Sequence, residues 1–203
     1  MSPDIRIGSG KFKGRKIFSF GRGYRPTSGI VKKSLFDTIG PDLENSSFLD
    51  LFAGSGAIGL EALSRGARTV CFVENEINRV ETIRRNLQRL EIGNGMFEIL
   101  ALDYSKALGI LRERKMKFEY IFIDPPYKNT EPVRILGDLA ASTVLADDGE
   151  IIYETELKNA RNVAQAAARD FWPLKEKVHG GTALIFLRRR ENSNSGNIVQ
   201  PEK

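Results

Sequence analysis

Four consecutive residues, Asp124-Pro125-Pro126-Tyr127, follow an apolar run at 118–123 and carry groups suited to holding an aromatic amine. The lone pair of such an amine is delocalised into its ring, so the nitrogen is a poor nucleophile unless acceptors hold its N–H groups toward tetrahedral geometry. The Asp124 carboxylate and the Pro125 carbonyl supply two acceptors, and the two prolines fix the backbone that aims them. Tyr127 offers a flat face for an unstacked base. The turn therefore predicts a site for the exocyclic amine of a nucleic-acid base.

Such a site suits in-line transfer of a methyl group from a sulfonium to the amine nitrogen. The leaving group is already cationic, so no general acid is needed, and positioning together with electrostatic acceptors supplies most of the acceleration. The proton leaves late, to Asp124 or to water, and the base must leave its stack to reach Tyr127. The single histidine, His179, is not required and is interpreted as a solvated turn residue. The alternative interpretation of the four residues is a rigid turn with a packed tyrosine.

A glycine-rich segment earlier in the chain predicts a nucleotide-like cofactor. Gly54, Gly56 and Gly59 form a G-x-G-x-x-G pattern after an apolar run at 47–52, and such glycines let a ligand approach the backbone where a helix starts. Glu74 ends the next apolar run, 20 residues after Gly54, where an acid can accept hydrogen bonds from ribose hydroxyls. The pattern does not choose between a nicotinamide dinucleotide and S-adenosylmethionine. The alternative is a glycine-rich turn with a solvated Glu74.

Both segments belong to an alternation of short apolar runs and helical patterns, which indicates an α/β fold with a doubly wound, mostly parallel sheet. The stretch at 172–188 differs, because two strand-like halves separated by Gly180-Gly181 predict an antiparallel hairpin. With this hairpin we expect seven strands in the sheet. The other expected strands are 47–52, 69–73, 97–102, 118–123 and 149–153, and the expected helices are near 57–65, 76–91, 104–115, 131–143 and 156–170.

Positive charge is concentrated at the start of the chain. Residues 1–40 hold nine basic and two acidic residues, whereas the rest of the chain holds 22 basic and 24 acidic ones. We expect a basic arm or hairpin over 1–26, a single domain over 27–190 and a disordered polar tail over 191–203. Nucleic acid is the commonest partner of such a patch, and a solvated basic surface is the alternative. The predicted phosphate contacts are Lys11, Lys13, Arg15, Lys16, Arg22 and Arg25.

Composition excludes several classes of protein. One cysteine excludes an internal disulfide framework and favours a reducing compartment, so a cytoplasmic location is expected. One histidine and one cysteine cannot build a His/Cys zinc site, and no metal is expected. No apolar run approaches the ~20 residues that span a bilayer, and the N-terminal segment has no apolar signal core. Because no long apolar stripe demands a dimer, a monomer is expected, with Cys71 as a small core residue.

Together these motifs resemble the RsmD family of bacterial 16S ribosomal RNA guanine-N2 methyltransferases, over roughly residues 5–190. The glycine loop is shared by most class I methyltransferases, and the Asp-Pro-Pro-Tyr turn by amino-methyltransferases of adenine, cytosine and guanine. The Pro26-Thr27 helix start and the uninterrupted run from Leu49 to Ala67 point to this family in particular. Other matching segments are Gly8–Lys16, Phe72-Val73-Glu74 and Ile152-Tyr153-Glu154.

The resemblance implies a Rossmann-like class I fold, S-adenosylmethionine as methyl donor, and a guanine N2 amine of small-subunit rRNA as acceptor. It also implies that the substrate is a partly assembled ribosomal particle rather than free RNA. Glu74 would hold the ribose hydroxyls, Asp103 would lie near the adenine ring, and residues 124–127 would hold the target base. The whole set of implied cofactor contacts is Thr27, Asp50, Ala53, Gly54, Ser55, Gly56, Glu74, Asn75, Asp103 and Tyr104.

Some assignments stay open at this point. The family usually has an arginine before the valine of the Pro-Thr helix and often a glutamate two residues after it, where this chain has Ile30 and Lys33. Asp103 is also explained as the cap of the following helix. Other functions are a nicotinamide-dependent oxidoreductase, a non-enzymatic RNA-binding module, and an amino-methyltransferase of another base such as adenine. The first leaves the Asp124 turn unexplained, the intact site argues against the second, and nothing in the turn separates the bases.

Overall fold

A computed structural model of the chain describes residues 5–19, 27–40, 43–126 and 132–190. Its strands are β1 (Ile5–Arg6), β2 (Lys16–Ile17), β3 (Ser47–Asp50), β4 (Thr69–Val73), β5 (Phe97–Leu100), β6 (Phe118–Ile123), β7 (Leu145–Glu156), β8 (Phe171–His179) and β9 (Thr182–Arg189). Seven of these form one sheet in the order β5-β4-β3-β6-β7-β9-β8. The first five are mutually parallel, and β9 is antiparallel to both β7 and β8. The predicted fold class is confirmed.

Helices cover both faces of this sheet. Within the described ranges they are α1 (Gly29–Ile39), α2 (Ala57–Ser64), α3 (Ile77–Arg89), α4 (Tyr104–Glu113), α5 (Pro132–Ser142) and α6 (Ala160–Ala167). The apolar side chains of α1, α2 and α3 belong to one core cluster, and those of α4, α5 and α6 belong to another. The sheet therefore separates two cores, as a doubly wound fold requires.

The central strands are buried on both faces, which explains their continuous apolar sequences. Phe48 and Phe122 pack on the α1–α3 side, whereas their neighbours Leu49 and Ile121 pack on the other. Cys71 lies in the core as expected, and burial raises the pKa of its thiol to about 12. A thiol in this state is protonated at neutral pH and has a packing role.

The order in which successive strands are added to the sheet changes direction between β3 and β6. Strands β4 and β5 lie on one side of β3, and β6 and β7 lie on the other. Open α/β sheets bind ligands in the crevice outside the carboxyl ends of the strands at such a switch point. Asp50 ends β3 and Asp124 directly follows β6, so the fold places both residues at this crevice.

The N-terminal hairpin of β1 and β2 packs against the α1–α3 side of the domain. Ile7, Phe12 and Ile17 are buried in the same cluster as Leu35 and Leu63. The fit is close at the turn, because a Cβ at Gly10, whose φ is +76°, would lie 1.7 Å from the Ser64 carbonyl oxygen. Residues 5–19 are thus joined to the domain by apolar burial.

The largest differences from the sequence expectation lie at β7 and the helix that follows it. Strand β7 starts at Leu145 and continues to Glu156, beyond the expected 149–153, because its second half pairs with β9 as far as Thr182. The helix expected from residue 156 accordingly starts at Ala160, after a 3-10 turn at Leu157–Asn159. In the described part of the chain, no helix has both the length and the apolar character to cross a membrane.

Candidate active site

The two predicted motifs meet at one pocket. Asp50 is paired with Phe122 across β3 and β6, so the glycine loop that follows Asp50 and the turn that starts at Asp124 leave the sheet side by side. The enclosed space between them has a volume of about 10 Å³, room for about one water molecule. Its lining consists of Thr27, Asp50, Phe52, Ala53, Ser55, Ala57, Ile58, Phe122 and Asp124.

Glycine is required at two turns of the loop for backbone reasons. Gly54 and Gly56 have φ values of +54° and +79°, in the left-handed region that other residues rarely adopt. The Gly56 N–H donates to the Ala53 carbonyl at 2.7 Å, which closes a tight turn directly before α2. Gly59 serves packing instead, since a Cβ there would lie 2.3 Å from the Phe72 ring.

Glu74 is held firmly against the glycine loop. One carboxylate oxygen accepts the Gly54 N–H at 2.9 Å, and the other accepts the Glu76 N–H at 2.9 Å. The side chain is buried, with Arg79 3.8 Å from it. A carboxylate has about four lone-pair positions, so these bonds orient Glu74 and leave acceptor capacity for ribose hydroxyls. Asn75, the next residue in the chain, is exposed.

Asp50 links the end of β3 to the start of α2. Its buried side chain accepts the Gly59 N–H at 3.1 Å, one of the unpaired donors of the first helical turn. Gly56, at the N-cap, has no side chain for this purpose. Burial raises the pKa of Asp50 from 3.8 to about 7, opposed by the Gly59 bond and assisted by the charge of Glu74. The residue therefore contributes to the shape of the loop as well as to the pocket wall.

Asp124 is surrounded by protein and lies close to two other carboxyl groups, those of Glu154 and Asp50. Burial raises the pKa of its carboxyl well above 3.8, and the charges of Glu154 and Asp50 raise it further. A carboxylate whose pKa is raised is a stronger base for an incoming proton. Pro125 is buried and Pro126 is exposed, and the ring of each proline restricts the backbone of the turn. Tyr127 lies outside the described residues.

Glu154 belongs to the site, although the sequence patterns assigned it no role. Ile123 and Tyr153 are partners across β6 and β7, so the residues that follow them, Asp124 and Glu154, are neighbours. The Thr27 hydroxyl donates to Glu154 Oε2 at 3.0 Å. The signal that was available is its place in the chain: Glu154 follows the apolar run 149–153 as Glu74 follows 69–73.

Asp103 and Tyr104 lie at the start of α4, after β5. Asp103 caps α4 by accepting the Ser105 N–H at 2.9 Å and the Ser105 hydroxyl at 2.7 Å, which supports the capping interpretation. The Tyr104 hydroxyl donates to Asp138 at 3.0 Å, and its ring centroid is 5.3 Å from that of Phe52. Phe52 also lines the pocket, so Tyr104 packs against a residue of the pocket wall.

The predicted phosphate contacts divide into two groups. Lys11, Lys13, Arg15 and Lys16 are exposed on the N-terminal hairpin, and the Arg15 guanidinium donates to the Arg89 carbonyl. Arg22 and Arg25 lie outside the described residues. The hairpin thus presents four basic side chains on a surface that is fixed to the domain.

A buried ionic cluster that sequence patterns missed anchors this hairpin. The Glu61 carboxylate, fully buried, accepts the Gly8 and Ser9 N–H groups at 2.7 and 2.9 Å. It also pairs with Lys32 at 2.7 Å and Arg65 at 3.0 Å. These partners lower the pKa of Glu61 although burial opposes them. Lys32, one of the nine basic residues counted in 1–40, is therefore a structural cation.

Asn86 connects the hairpin to the glycine loop. Its buried side chain accepts the Phe18 N–H at 2.7 Å and donates to the Phe18 carbonyl at 3.1 Å. The same amide nitrogen donates to the Ser55 carbonyl at 3.0 Å. A single side chain on α3 thus joins the segment that leaves the basic hairpin to the loop predicted to hold the cofactor.

Comparison with known proteins identifies the family. Residues 5–188 match the sequence profile of the family described as "Conserved hypothetical protein 95". The Bacillus subtilis protein YlbH, whose name assigns it provisionally to the rRNA methyltransferases, is 38% identical over 92% of this chain and 100% of its own length. Ribosomal RNA small subunit methyltransferase D of Escherichia coli strain K12 is 33% identical over 96% of this chain and 94% of its own length.

A solved structure shows the same architecture. The Escherichia coli protein yhhF, provisionally named a methyltransferase, superposes with a TM-score of 0.78 at 26% sequence identity. The match covers 93% of this chain and 99% of that one. With its glycine loop and its Asp-Pro-Pro turn at one pocket, the chain belongs to the RsmD family of methyltransferases.

Proposed function

We propose that the protein transfers a methyl group from S-adenosylmethionine to the N2 amine of a guanine in 16S rRNA of the small ribosomal subunit. The observation that carries this proposal is the shared pocket of the glycine loop and the Asp124 turn. The names of the curated relatives, which refer to ribosomal RNA and its small subunit, support the class of substrate. The identity of the base rests on the resemblance of the motifs.

The glycine loop fits the donor in chemistry. Its backbone turns at Gly54 and Gly56, and Glu74 is oriented beside these turns to accept ribose hydroxyl groups. Asp50, Ala53 and Ser55 line the wall toward the acceptor. When bound, S-adenosylmethionine supplies a methyl group on a cationic sulfur, which keeps the electron pair of the broken carbon–sulfur bond and leaves as a neutral thioether.

The Asp124 turn acts on the acceptor amine. The Asp124 carboxylate and the Pro125 carbonyl accept hydrogen bonds from the two N–H groups, which directs the nitrogen lone pair toward the glycine loop. As the nitrogen–carbon bond forms, the nitrogen becomes cationic, and the negative surrounding of Asp124 stabilises that charge. Because its pKa is raised, ionised Asp124 is a competent acceptor for the proton that then leaves the nitrogen.

The basic hairpin supports an RNA partner. Lys11, Lys13, Arg15 and Lys16 are exposed on one element that is fixed to the domain by apolar and ionic contacts. Phosphate contacts of this kind hold the position and orientation of a nucleic acid without reading its bases. We propose that the hairpin holds the rRNA of a partly assembled small subunit while the target base enters the pocket.

The decisive experiment replaces Asp124 by alanine. Uptake of labelled methyl groups into small-subunit particles from cells lacking the gene should fall by about two to three orders of magnitude, the range seen when one stabilising acceptor or donor is removed. Affinity for S-adenosylhomocysteine, measured by calorimetry, should change little. Asp147→Asn, on the exposed part of β7, is the matched control. Full activity of Asp124→Ala would refute the assigned mechanism, and mass spectrometry of rRNA fragments would identify the nucleotide.

A further inference from the structure

A second carboxylate, itself buried, stands next to Asp124, and the methyl-transfer step does not use it. The parallel register that pairs Ile123 with Tyr153 makes Asp124 and Glu154 neighbours on adjacent strands. Glu154 is 4% exposed, and placing two carboxylates together away from water is costly. A site of this kind is stabilised when a ligand brings hydrogen-bond donors to both groups.

The bases differ in the number of donors that they present beside the amine. On its Watson–Crick edge, guanine carries the N2 amine next to the N1–H, so two donor groups lie side by side. Adenine and cytosine carry an amine next to a ring nitrogen that is an acceptor. Recognition of an unstacked base uses this edge. An adjacent pair of carboxylates therefore matches guanine and repels the lone pair of the other two bases.

We propose that Glu154 accepts the N1–H of the target guanine while Asp124 accepts its N2 amine, which makes Glu154 a specificity-determining residue. This inference rests on the proposed function and supplies the selection between bases that the Asp-Pro-Pro-Tyr turn alone does not contain. It assigns the substrate edge to the residue that follows β6 and to its neighbour within β7, two strands whose spacing is fixed by the sheet.

The contacts of Glu154 orient it for this role. The Thr27 hydroxyl donates to Oε2 at 3.0 Å, and Thr27 itself lines the pocket that contains Asp50 and Asp124. A carboxylate can accept several hydrogen bonds at once, so the Thr27 bond is compatible with a bond from N1–H. Thr27 precedes α1, whose N-cap is Ser28, so the start of that helix aims the side chain.

The space beside Glu154 is of suitable size and polarity. A second pocket, with a volume of about 140 Å³, is lined both by Glu154 and by Pro125, the residue after Asp124. This space is many times larger than the pocket of about 10 Å³ that Asp50 and Asp124 line. Its lining combines flat and polar groups: Pro125, Pro132, Tyr153, Glu154, Thr155, Asn159 and Asn162.

The test compares two nucleosides that differ at the edge in question. Guanosine has the 2-amino group and N1–H, whereas 2-aminopurine riboside has the same amino group beside an acceptor nitrogen. Their dissociation constants are measured by NMR titration at millimolar concentrations, in the presence of S-adenosylhomocysteine. The wild-type protein should prefer guanosine by at least about tenfold, since a site built for a hydrogen bond rejects a ligand that lacks it.

The informative variant is Glu154→Gln, whose side-chain amide can donate to the acceptor nitrogen of 2-aminopurine. Its preference for guanosine should fall toward one. Glu150→Gln, four positions earlier in β7 and paired with Arg188, should keep the wild-type preference. If Glu154→Gln does not fold, Thr27→Val removes the orienting hydroxyl bond and should reduce the preference by a smaller factor.

The outcomes separate this inference from the proposed function. An unchanged preference in folded Glu154→Gln, or in Thr27→Val when the first variant fails to fold, overturns the role of Glu154. Lack of guanosine binding or of any preference by the wild-type protein overturns it as well. Methyl uptake into small-subunit particles is measured separately, so an active enzyme with a negative nucleoside result leaves the proposed function standing and this inference refuted.

Discussion

At the residue scale, the site concentrates carboxyl groups that are expensive to ionise. Asp50 ends β3 and Asp124 directly follows β6, and the pKa values of both are raised mainly by burial. Such groups stabilise the fold in their protonated form and lose that contribution when they ionise. Closely placed carboxyl groups suit a site that must stabilise a transient cation. The ionised groups lower the stability of the fold, but they supply the negative charge that the proposed methyl transfer requires.

The pH dependence of stability follows from Asp50. Its pKa is about 7 in the folded protein against 3.8 as its ordinary value, so between these pH values the folded state holds a proton that the unfolded state releases. The free energy of unfolding should therefore fall as pH rises through this window, by up to about 1.4 kcal/mol per pH unit from this group. Asp50→Asn should show a smaller fall in urea unfolding measured at several pH values.

Asp147→Asn serves as the reference for this comparison, because Asp147 is exposed on β7. It should reproduce the wild-type dependence. An identical pH dependence for Asp50→Asn and the wild-type protein would show that Asp50 ionises normally in the folded state.

A packing prediction concerns Gly59. A methyl group at this position would lie 2.3 Å from Phe72 and 2.8 Å from Val70, so Gly59→Ala should lower the free energy of unfolding by about 1–3 kcal/mol. It should also weaken binding of S-adenosylhomocysteine, because α2 carries the loop. Gly109→Ala is the matched control: Gly109 lies inside α4 with nothing within 4 Å of its added methyl. That control should be neutral or slightly stabilising.

At the element scale, the main result is the way in which the N-terminal hairpin is attached. It is joined to α2 through the buried Glu61 and to α3 through Asn86. The first connection carries charge, and removing one partner of such a cluster leaves the others buried and unpaired. The second connection is neutral and reaches the Ser55 carbonyl, so the hairpin and the glycine loop share a support.

Asn86→Ala tests that shared support. It would leave three backbone groups, at Phe18 and Ser55, without this partner, and each such group costs about 1–3 kcal/mol unless water replaces the bond. Both the free energy of unfolding and the affinity for S-adenosylhomocysteine should decrease. Asn78→Ala, at an exposed position of the same helix, should change neither. Unaltered affinity in Asn86→Ala would mean that the loop holds its shape without α3.

The positions of the glycine loop and the Asp-Pro-Pro turn could be predicted in large part from the sequence, since parallel strands end at a common edge of the sheet. The apolar runs before Asp50 and Asp124 predict that the glycine loop and the Asp-Pro-Pro turn follow strands of one mostly parallel sheet, and the folded sheet shows that these two strands are neighbours. The role of Glu61 could not be predicted, because its partners at Gly8 and Lys32 are far away in the chain. A pattern of charges cannot distinguish a surface lysine from one that is buried against an acid.

The role of Glu154 was missed for a related reason. The apolar run 149–153 marks the strand, but the register between β6 and β7, which makes Glu154 a neighbour of Asp124, is a property of the folded sheet. The extension of β7 to Glu156 likewise depends on pairing with β9. Local patterns predict elements, whereas pairings between distant segments decide which side chains meet.

At the scale of the whole molecule, charge is distributed unevenly between two surfaces. The net charge is +5, and the exposed hairpin contributes Lys11, Lys13, Arg15 and Lys16, while the charged groups of the pocket wall are the carboxyls of Asp50 and Asp124. A polyanionic RNA is therefore attracted to the hairpin and repelled by the pocket, so the phosphate backbone should stay on the first surface while a neutral base enters the second.

Reversal of charge on the hairpin tests this separation. Lys11→Glu with Lys13→Glu should weaken binding of small-subunit particles and reduce the slope of log affinity against log salt by about 0.7–0.9 for each phosphate that the variant no longer binds. Lys177→Glu, at an exposed position of the C-terminal hairpin of β8 and β9, should leave the slope unchanged. Equal slopes for both variants would count against the hairpin as the phosphate-binding surface.

The contact between Gly59 and the Phe72 ring has a consequence for how the enzyme can change. At Gly59 the backbone of α2 packs directly on an aromatic ring of β4, with no room for an added methyl group between them, so the position of the helix depends on the position of that ring. Substitutions of core residues around Phe72 would therefore displace the proposed donor-binding turn, although no residue of the turn itself has changed. Loss of activity could thus originate from a residue that never meets either substrate.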